Sequence, residues 1–94
     1  MRPVLHGDLI TAARALEALA PSVRRRVAQA WLSEAHAADL YRKRLGRVHP
    51  RWGNGSLMGR VMCEPRLPDG PIGREYLQAL EQLIGALGRW RERA

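Results

Sequence analysis

The feature that most constrains this chain is a run without proline or glycine from Ser22 to Leu45, bounded by Pro21 and Gly46. Proline disfavours helix in the residue before it, and glycine readily adopts the left-handed conformation that often ends a helix. Alanine, the strongest helix former, is frequent within the run. The run therefore predicts one helix over residues 22–45, roughly 23 residues and about 34 Å long. Such a length suggests a helix that protrudes or packs within an oligomer.

Three further helices are predicted from apolar spacing and capping residues. Asp8 is suited to cap a helix over residues 8–20, Ser22 to cap the long helix, and Ser56 to cap a short one over residues 56–63. The last helix covers residues 74–91, after a stiff connection over 64–73 that contains three prolines. No segment alternates with strand period. The prediction is a single all-α domain over residues 1–94: a small bundle of three long helices and one short helix.

The last predicted helix carries apolar residues at alternating spacings of four and three, the seam pattern of coiled coils. Flanking apolar residues widen this stripe toward the face of a globular bundle. The stripe therefore predicts either an oligomer interface or a core seam. Its residues are Tyr76, Leu80, Leu83, Leu87 and Trp90.

The charge balance favours polyanionic partners. The chain has 16 lysines and arginines against 9 acidic residues, a formal net charge of +7, and Lys43 is its only lysine. Such a balance attracts DNA, RNA, an anionic membrane or an acidic protein. Arginine suits bidentate contact with phosphate, although GC-rich codon usage also produces it. The predicted nucleic-acid contacts are Arg24, Arg25, Arg26, Arg42, Lys43, Arg47 and Arg51.

The spacing of Arg24 and Arg42 supports a shared basic surface. Eighteen residues separate them, which is five helical turns, so their side chains are expected on one side of the long helix. The short break at Ala20–Ser22 also permits a helix-turn-helix in which Arg24 opens the DNA-reading helix. The missing turn glycine and the length of the second helix count against that alternative.

A loop over residues 46–55 breaks every helical period and contains His49, Trp52 and Asn54. An aromatic ring among cations is typical of backbone contact combined with base stacking. The segment Gly53–Ser56 precedes a helix and could contact an anion through free N–H groups. Alternatively, Trp52 lies in the core and anchors the loop.

Residues suited to catalysis or metal binding are few. His36 and Asp39 share a helix face, but Glu34 points elsewhere, so His36 is interpreted as a surface residue. Cys63 follows an apolar helix and is interpreted as a core residue. We expect no metal, no cofactor and no enzymatic activity. Catalysis would require His49, Asp8 or Glu64 to converge in a cleft.

The chain is expected in the cytoplasm and away from membranes. Its first residues lack the apolar segment of a signal peptide, and no apolar run approaches the roughly 20 residues that span a bilayer. A single cysteine excludes an internal disulfide and suits a reducing compartment.

The loop sequence His-Pro-Arg-Trp-Gly-Asn-Gly-Ser-Leu-Met at 49–58, together with Met-Arg-Pro-Val-Leu at 1–5 and Gly-Asp at 7–8, resembles a family of small, uncharacterised bacterial helical proteins. That resemblance covers nearly the whole chain and implies no activity. The plan is more loosely similar to the small terminase subunits of tailed phages and gene transfer agents. This second likeness implies a non-catalytic ring that binds DNA weakly and passes it to a packaging motor. The present chain departs from it in lacking an N-terminal DNA-reading domain.

These observations lead to two hypotheses. In the first, the protein is a non-catalytic DNA-associated oligomer, a packaging accessory of small-terminase type that binds DNA without sequence preference. In the second, it is an adaptor or regulator that docks a protein partner through the Trp52 loop, since tryptophan and arginine anchor many protein interfaces.

Overall fold

A computed structural model describes residues 1–68 and 70–93. This part of the chain contains four α-helices and one short 3₁₀ turn. The elements are α1 (His6–Glu17), the 3₁₀ turn (Pro21–Val23), α2 (Arg24–Leu45), α3 (Leu57–Val61) and α4 (Arg74–Arg93). No strand occurs in this described part, where His49 and Gly53 form an isolated bridge. The all-α prediction is confirmed. Asp69, within the predicted connection 64–73, and Ala94 lie outside the described residues.

The first helix begins earlier and ends earlier than predicted. Asp8 is the third residue of α1 and accepts a hydrogen bond from the backbone N–H of Leu5, which precedes the helix (2.7 Å). The helix ends at Glu17 rather than residue 20. Asp8 therefore supports the first turn of α1 from inside it, as a glutamate does in a capping box.

The ends of α2 and α3 follow the predicted signals only in part. Ser22 lies within the 3₁₀ turn and caps nothing, so the α-helix starts at Arg24. Gly46 adopts the left-handed conformation at φ 71° and ends α2 as predicted. Ser56 caps α3 as predicted, its hydroxyl accepting from the N–H of Gly59 (2.9 Å). The helix nevertheless ends at Val61 rather than residue 63.

The three long helices lie side by side, with α1 antiparallel to the other two. The end of α1 meets the start of α2 and of α4, where the Arg14 guanidinium lies 4.0 Å from the ring centre of Tyr76. Along α2 and α4 the contacts advance in the same direction, from Arg24 with Gln82 to His36 with Trp90. The carboxyl ends of α2 and α4 therefore lie at the same end of the bundle as the amino end of α1.

The core is built largely from alanine, which lets the helices approach closely. Its buried residues are Ala12, Ala13, Ala15, Leu16, Ala28, Trp31, Leu32, Leu57, Val61, Tyr76, Ala79, Leu83 and Ala86. Leu80, Leu87 and Trp90 pack against it from α4. The apolar stripe of α4 is thus part of this chain's own core. The long helix α2 does not protrude, because buried residues follow it from Arg24 to Asp39.

Candidate nucleic-acid interface

Arg24 lies inside the protein, with 1% of its surface exposed. Its Nε donates to the carbonyl oxygens of Leu16 (2.9 Å) and Leu19 (3.1 Å), and one terminal nitrogen donates to the carbonyl of Glu17 (3.2 Å). That nitrogen also lies 3.0 Å from a carboxylate oxygen of Glu75. These carbonyls lie at and just after the end of α1, where i+4 helical donors are missing; the Leu16 carbonyl also accepts from the backbone N–H of Leu19 (2.9 Å). The prediction that Arg24 lies on the solvent side is wrong, because its guanidinium caps α1.

Arg24 and Arg42 were expected to form one exposed basic surface, but the side of α2 that they share faces the protein. Both residues face the protein, since Arg42 is only half-exposed and donates to the Asp39 carboxylate (2.9 Å). A helix-turn-helix that reads DNA with Arg24 is inconsistent with this burial. Arg25 and Arg26 are exposed, as expected.

Asp39 is the centre of a buried charge cluster. Its carboxylate, in a residue 1% exposed, contacts Arg42, Lys43 (3.1 Å) and the Met1 ammonium group (3.3 Å). Burial raises the pKa of the Asp39 carboxyl, but hydrogen bonds from these three cations lower it by more. The net pKa lies well below its usual range, so Asp39 stays ionised and holds the three cations together.

His36 belongs to the same end of the bundle and is half-buried rather than a surface residue. Its Nδ1 accepts from the Met1 ammonium group (2.7 Å), and its ring meets Trp90 edge to face at 5.6 Å between centres. His36 therefore links the amino end of the chain to the last turns of α4.

The loop after α2 is held by aromatic stacking. The ring of His49 stacks on Trp52 with centres 4.8 Å apart and meets Tyr41 edge to face at the same distance. Nδ1 of His49 accepts from the backbone N–H groups of Arg51 and Trp52. Trp52 is half-buried in this stack and does not enter the main core. Its ring therefore stabilises the loop from the outside of the bundle.

Asn54 and Asp8 occupy the positions expected for an anion contact. Asn54 accepts from both the N–H and the hydroxyl of Ser56. The backbone N–H of Met58, at the start of α3, donates to Asp8 (2.8 Å). The N–H groups of Ser56 and Met58 thus already donate to oxygens of the chain itself, the Asn54 amide and the Asp8 carboxylate. The expected anion contact there is already filled.

The three residues that catalysis would require to converge have separate roles. Asp8 bonds backbone groups of Leu5 and Met58, His49 supports the loop, and Glu64 lies 3.7 Å from Arg60. Cys63 is exposed, not buried, because α3 ends two residues before it. Among residues 1–68 and 70–93, no three His, Cys, Asp or Glu side chains are close enough to hold a metal ion.

Eleven arginines remain exposed, and none forms an ion pair with a carboxylate in the described part of the chain. They are Arg2, Arg25, Arg26, Arg44, Arg47, Arg51, Arg66, Arg74, Arg89, Arg91 and Arg93. Five of the nine acidic residues pair with cations of the bundle: Glu17, Glu34, Asp39, Glu64 and Glu75. The exposed surface therefore carries unpaired positive charge, whereas many of the charges within the bundle are paired.

We call one part of this surface the basic end, where the carboxyl ends of α2 and α4 meet the amino end of the chain. It contains Arg2, Lys43, Arg44, Arg47, Arg51, Arg91 and Arg93, all of them exposed. A groove of about 690 Å³ opens here, lined by Met1, Arg2, Pro3, His36, Trp90, Arg91 and Arg93. The sequence patterns did not select Arg2, Arg91 or Arg93, because these residues meet only when α4 lies parallel to α2.

The fold and surface define a small helical protein with a charge-neutralised interior and a basic end. The chain belongs to the family described as Domain of unknown function (DUF7742), whose model matches residues 2–87. This agrees with the resemblance to an uncharacterised family. No curated protein and no solved structure matches the chain. No helix in the described part of the chain is sufficiently long and apolar to cross a membrane.

Proposed function

We propose that this protein is a non-catalytic nucleic-acid-associated protein that binds the phosphate backbone of DNA through its basic end. The observation that carries the proposal is the set of exposed arginines without carboxylate partners among the described residues. Guanidinium groups already paired with carboxylates would have to exchange one anion for another. Unpaired groups release only solvent and counterions when they meet phosphate, and that release favours binding.

The local arrangement favours the basic end over the opposite end of α2. At the start of α2, Arg24 is withdrawn into the protein and only Arg25 and Arg26 remain exposed. At the basic end, exposed cations come from three parts of the chain: the amino end, the last turn of α2 with the loop after it, and the last turn of α4. Contacts to phosphate carry no sequence information by themselves, so we expect weak binding without sequence preference.

The test is fluorescence anisotropy of a labelled DNA duplex, titrated with protein between about 50 and 200 mM salt. Six or more neutralised phosphates should weaken binding roughly 10³-fold or more over this range. The double variant Arg47→Gln/Arg51→Gln should weaken binding and reduce the slope of log affinity against log salt by about 1–2. No binding at the lowest salt would overturn the proposal.

The matched control is Arg66→Gln/Arg74→Gln, which removes the same charge from exposed arginines near the opposite end. We expect it to change binding much less than the first variant. Equal losses in both variants would show that net charge, rather than the basic end, determines binding. The variant Arg25→Gln/Arg26→Gln then measures how far the contact extends along α2.

A packaging role of small-terminase type would further require self-association, which we propose to test by sedimentation velocity at tens of micromolar. The α4 stripe is occupied in the core, so assembly would have to use another surface. A ring would support the packaging role, in which a motor protein is the next partner to seek. A strict monomer would exclude that role and leave DNA association as proposed.

A second candidate function is docking of a protein partner at the Trp52 loop. It is favoured by exposed apolar side chains beside the loop, with Leu45 50% and Val48 57% exposed. Substituting both by serine should abolish partner capture while leaving the salt-dependent DNA binding unchanged. If DNA binding fails and a partner is retained by the wild type alone, this second function replaces the first.

A further inference from the structure

The groove at the basic end combines an aromatic ring with unpaired cations. Trp90 is half-buried and packs against the core, and its ring orientation is fixed by the edge-to-face contact with His36. Arg2 lines the groove from the amino end of the chain, and Arg91 and Arg93 line it from α4. No carboxylate of the described residues lines it. The groove is therefore suited to an anionic ligand that also carries a flat ring.

The dimensions of the groove favour one particular occupant. Its volume, about 690 Å³, falls within the roughly 300–1,000 Å³ of small-ligand sites. A double helix does not fit such a space, and its bases are already stacked on each other. A single strand presents free base faces together with phosphates, and aromatic side chains bind those faces with little sequence preference.

We propose that this groove binds one unpaired base of a single-stranded nucleic acid, stacked on Trp90, while Arg2, Arg91 and Arg93 contact the adjoining phosphates. The inference rests on the proposed function, because it assigns a strand type and a subsite to the same basic end. The Met1 ammonium group also lines the groove, but it is paired with the buried Asp39 carboxylate (3.3 Å) and held by His36, so the free positive charge comes from the three arginines. The protein should therefore bind single strands more tightly than duplexes of equal phosphate number.

The decisive probe is a pair of labelled 12-nucleotide single strands, oligothymidylate and a fully abasic strand of the same length. The two carry the same phosphates, so any difference in affinity reports contact with bases. We expect the wild type to bind oligothymidylate roughly 5- to 150-fold more tightly than the abasic strand, which is the gain in affinity expected from one stacked base. We also expect oligothymidylate to quench tryptophan fluorescence.

Three variants locate the contact. Trp90→Leu keeps an apolar side chain against the core and should make the two strands bind equally. Trp52→Leu should preserve the difference, because Trp52 already stacks on His49 in the loop. Arg91→Gln/Arg93→Gln, at exposed positions, should weaken both strands together and leave their affinity ratio unchanged. Circular dichroism and a melting curve verify that each variant is folded.

The outcomes separate the two proposals. Equal, salt-sensitive binding of both strands by the wild type would overturn the base subsite and leave backbone binding intact. In that case Arg91 and Arg93 serve only to complement the negative end of the α4 dipole. Loss of the base preference in Trp52→Leu instead of Trp90→Leu would assign the base to the loop and also overturn the inference. Binding of neither strand, nor of duplex, would overturn both proposals.

Discussion

At the scale of single residues, the protein uses its charges in two distinct ways. Arg24 and Asp39 are both 1% exposed, and each is surrounded by groups of complementary charge or polarity. The arginine satisfies the last carbonyls of α1, whereas the carboxylate gathers cations from α2 and the amino end. Burial of an ion is costly unless it is paired and hydrogen-bonded. The two residues therefore hold opposite ends of the α1–α2 pair together.

Replacement of Arg24 by alanine should strongly destabilise the protein. The change removes the side-chain donor of the Glu17 and Leu19 carbonyls and one of the donors of the Leu16 carbonyl. It also leaves a cavity where the side chain was buried, and we expect a loss of about 3 kcal/mol or more in the free energy of unfolding. Urea denaturation followed by circular dichroism measures it. The exposed neighbour Arg26 is the matched control, and Arg26→Ala should stay within about 0.5 kcal/mol of wild type. Similar losses in both variants would contradict the capping role.

Ionised Asp39 should stabilise the protein at neutral pH and lose this effect as the pH falls. Its folded pKa lies below the ordinary value of 3.8, so above about pH 4 the unfolded chain also has this group ionised and the stabilisation is fully present. As the pH falls below that value, the unfolded state takes up the proton first and the stabilisation is lost. Asp39→Asn should therefore cost about 1.5–3 kcal/mol at pH 7 and much less at about pH 2.

The measurement is urea denaturation of wild type and Asp39→Asn at both pH values. Glu81→Gln is the control, since Glu81 is exposed and forms no ion pair with the described residues. A penalty for Asp39→Asn that is independent of pH would show that the ionised carboxylate is not what stabilises the cluster.

At the scale of elements, the loop between α2 and α3 packs closely against its neighbours. Gly55 has φ 96°, and a Cβ there would come within 2.7 Å of the Asp39 side chain. Its carbonyl accepts from the N–H of Arg2 (2.9 Å). The loop is thus pressed against α2 and tied to the amino end of the chain. Gly55 consequently contacts both Asp39 of the charge cluster and Arg2 of the groove.

Gly55→Ala should destabilise the protein by about 2–4 kcal/mol, because it adds backbone strain of about 1–3 kcal/mol and a steric overlap with a buried residue. Thermal and urea denaturation measure the loss. Gly88 offers a control of opposite sign, since it is helical in α4 and a Cβ there meets nothing within 4 Å. Gly88→Ala should stabilise by about 0.5–1 kcal/mol. Destabilisation by both changes would contradict this account.

The elements also show how far the sequence determines the fold. The end of α2 was predictable because Gly46 acts locally, whereas its α-helical start lies at Arg24, after a 3₁₀ turn. The end of α1 was not, because the donor that ends it comes from Arg24 in the next helix. The same non-local contact removed Arg24 from the predicted basic surface. Arg47 and Arg51 are exposed as expected, but the groove residues Arg2 and Arg91 required knowledge of the helix directions.

At the scale of the whole molecule, the three long helices share a core of small side chains within extents of 41 × 28 × 21 Å. The heptad-like stripe of α4 is satisfied inside one chain, where Leu83 is fully buried. A coiled-coil pattern specifies a partner surface but not whether it belongs to the same molecule. Here α1 and α2 provide that surface.

Leu83→Ala should distinguish a core seam from an oligomer seam. Within a core, the lost contacts and the residual cavity should cost about 2–5 kcal/mol, with an unfolding midpoint that is independent of protein concentration. At an oligomer interface the midpoint would instead rise with concentration. Denaturation at two concentrations differing about 50-fold separates the two cases, and the exposed Leu77 provides the control Leu77→Ala.

The parallel direction of α2 and α4 affects the order in which the molecule can assemble. The contacts that join them, such as Gln29 to the carbonyl of Ala86, link residues 57 positions apart. During synthesis, α1 and α2 emerge and can pair while the alanine-rich face that receives α4 is still uncovered. Contacts so distant in sequence form slowly compared with those of a hairpin. We therefore expect the nascent chain to expose this apolar face until α4 has been synthesised.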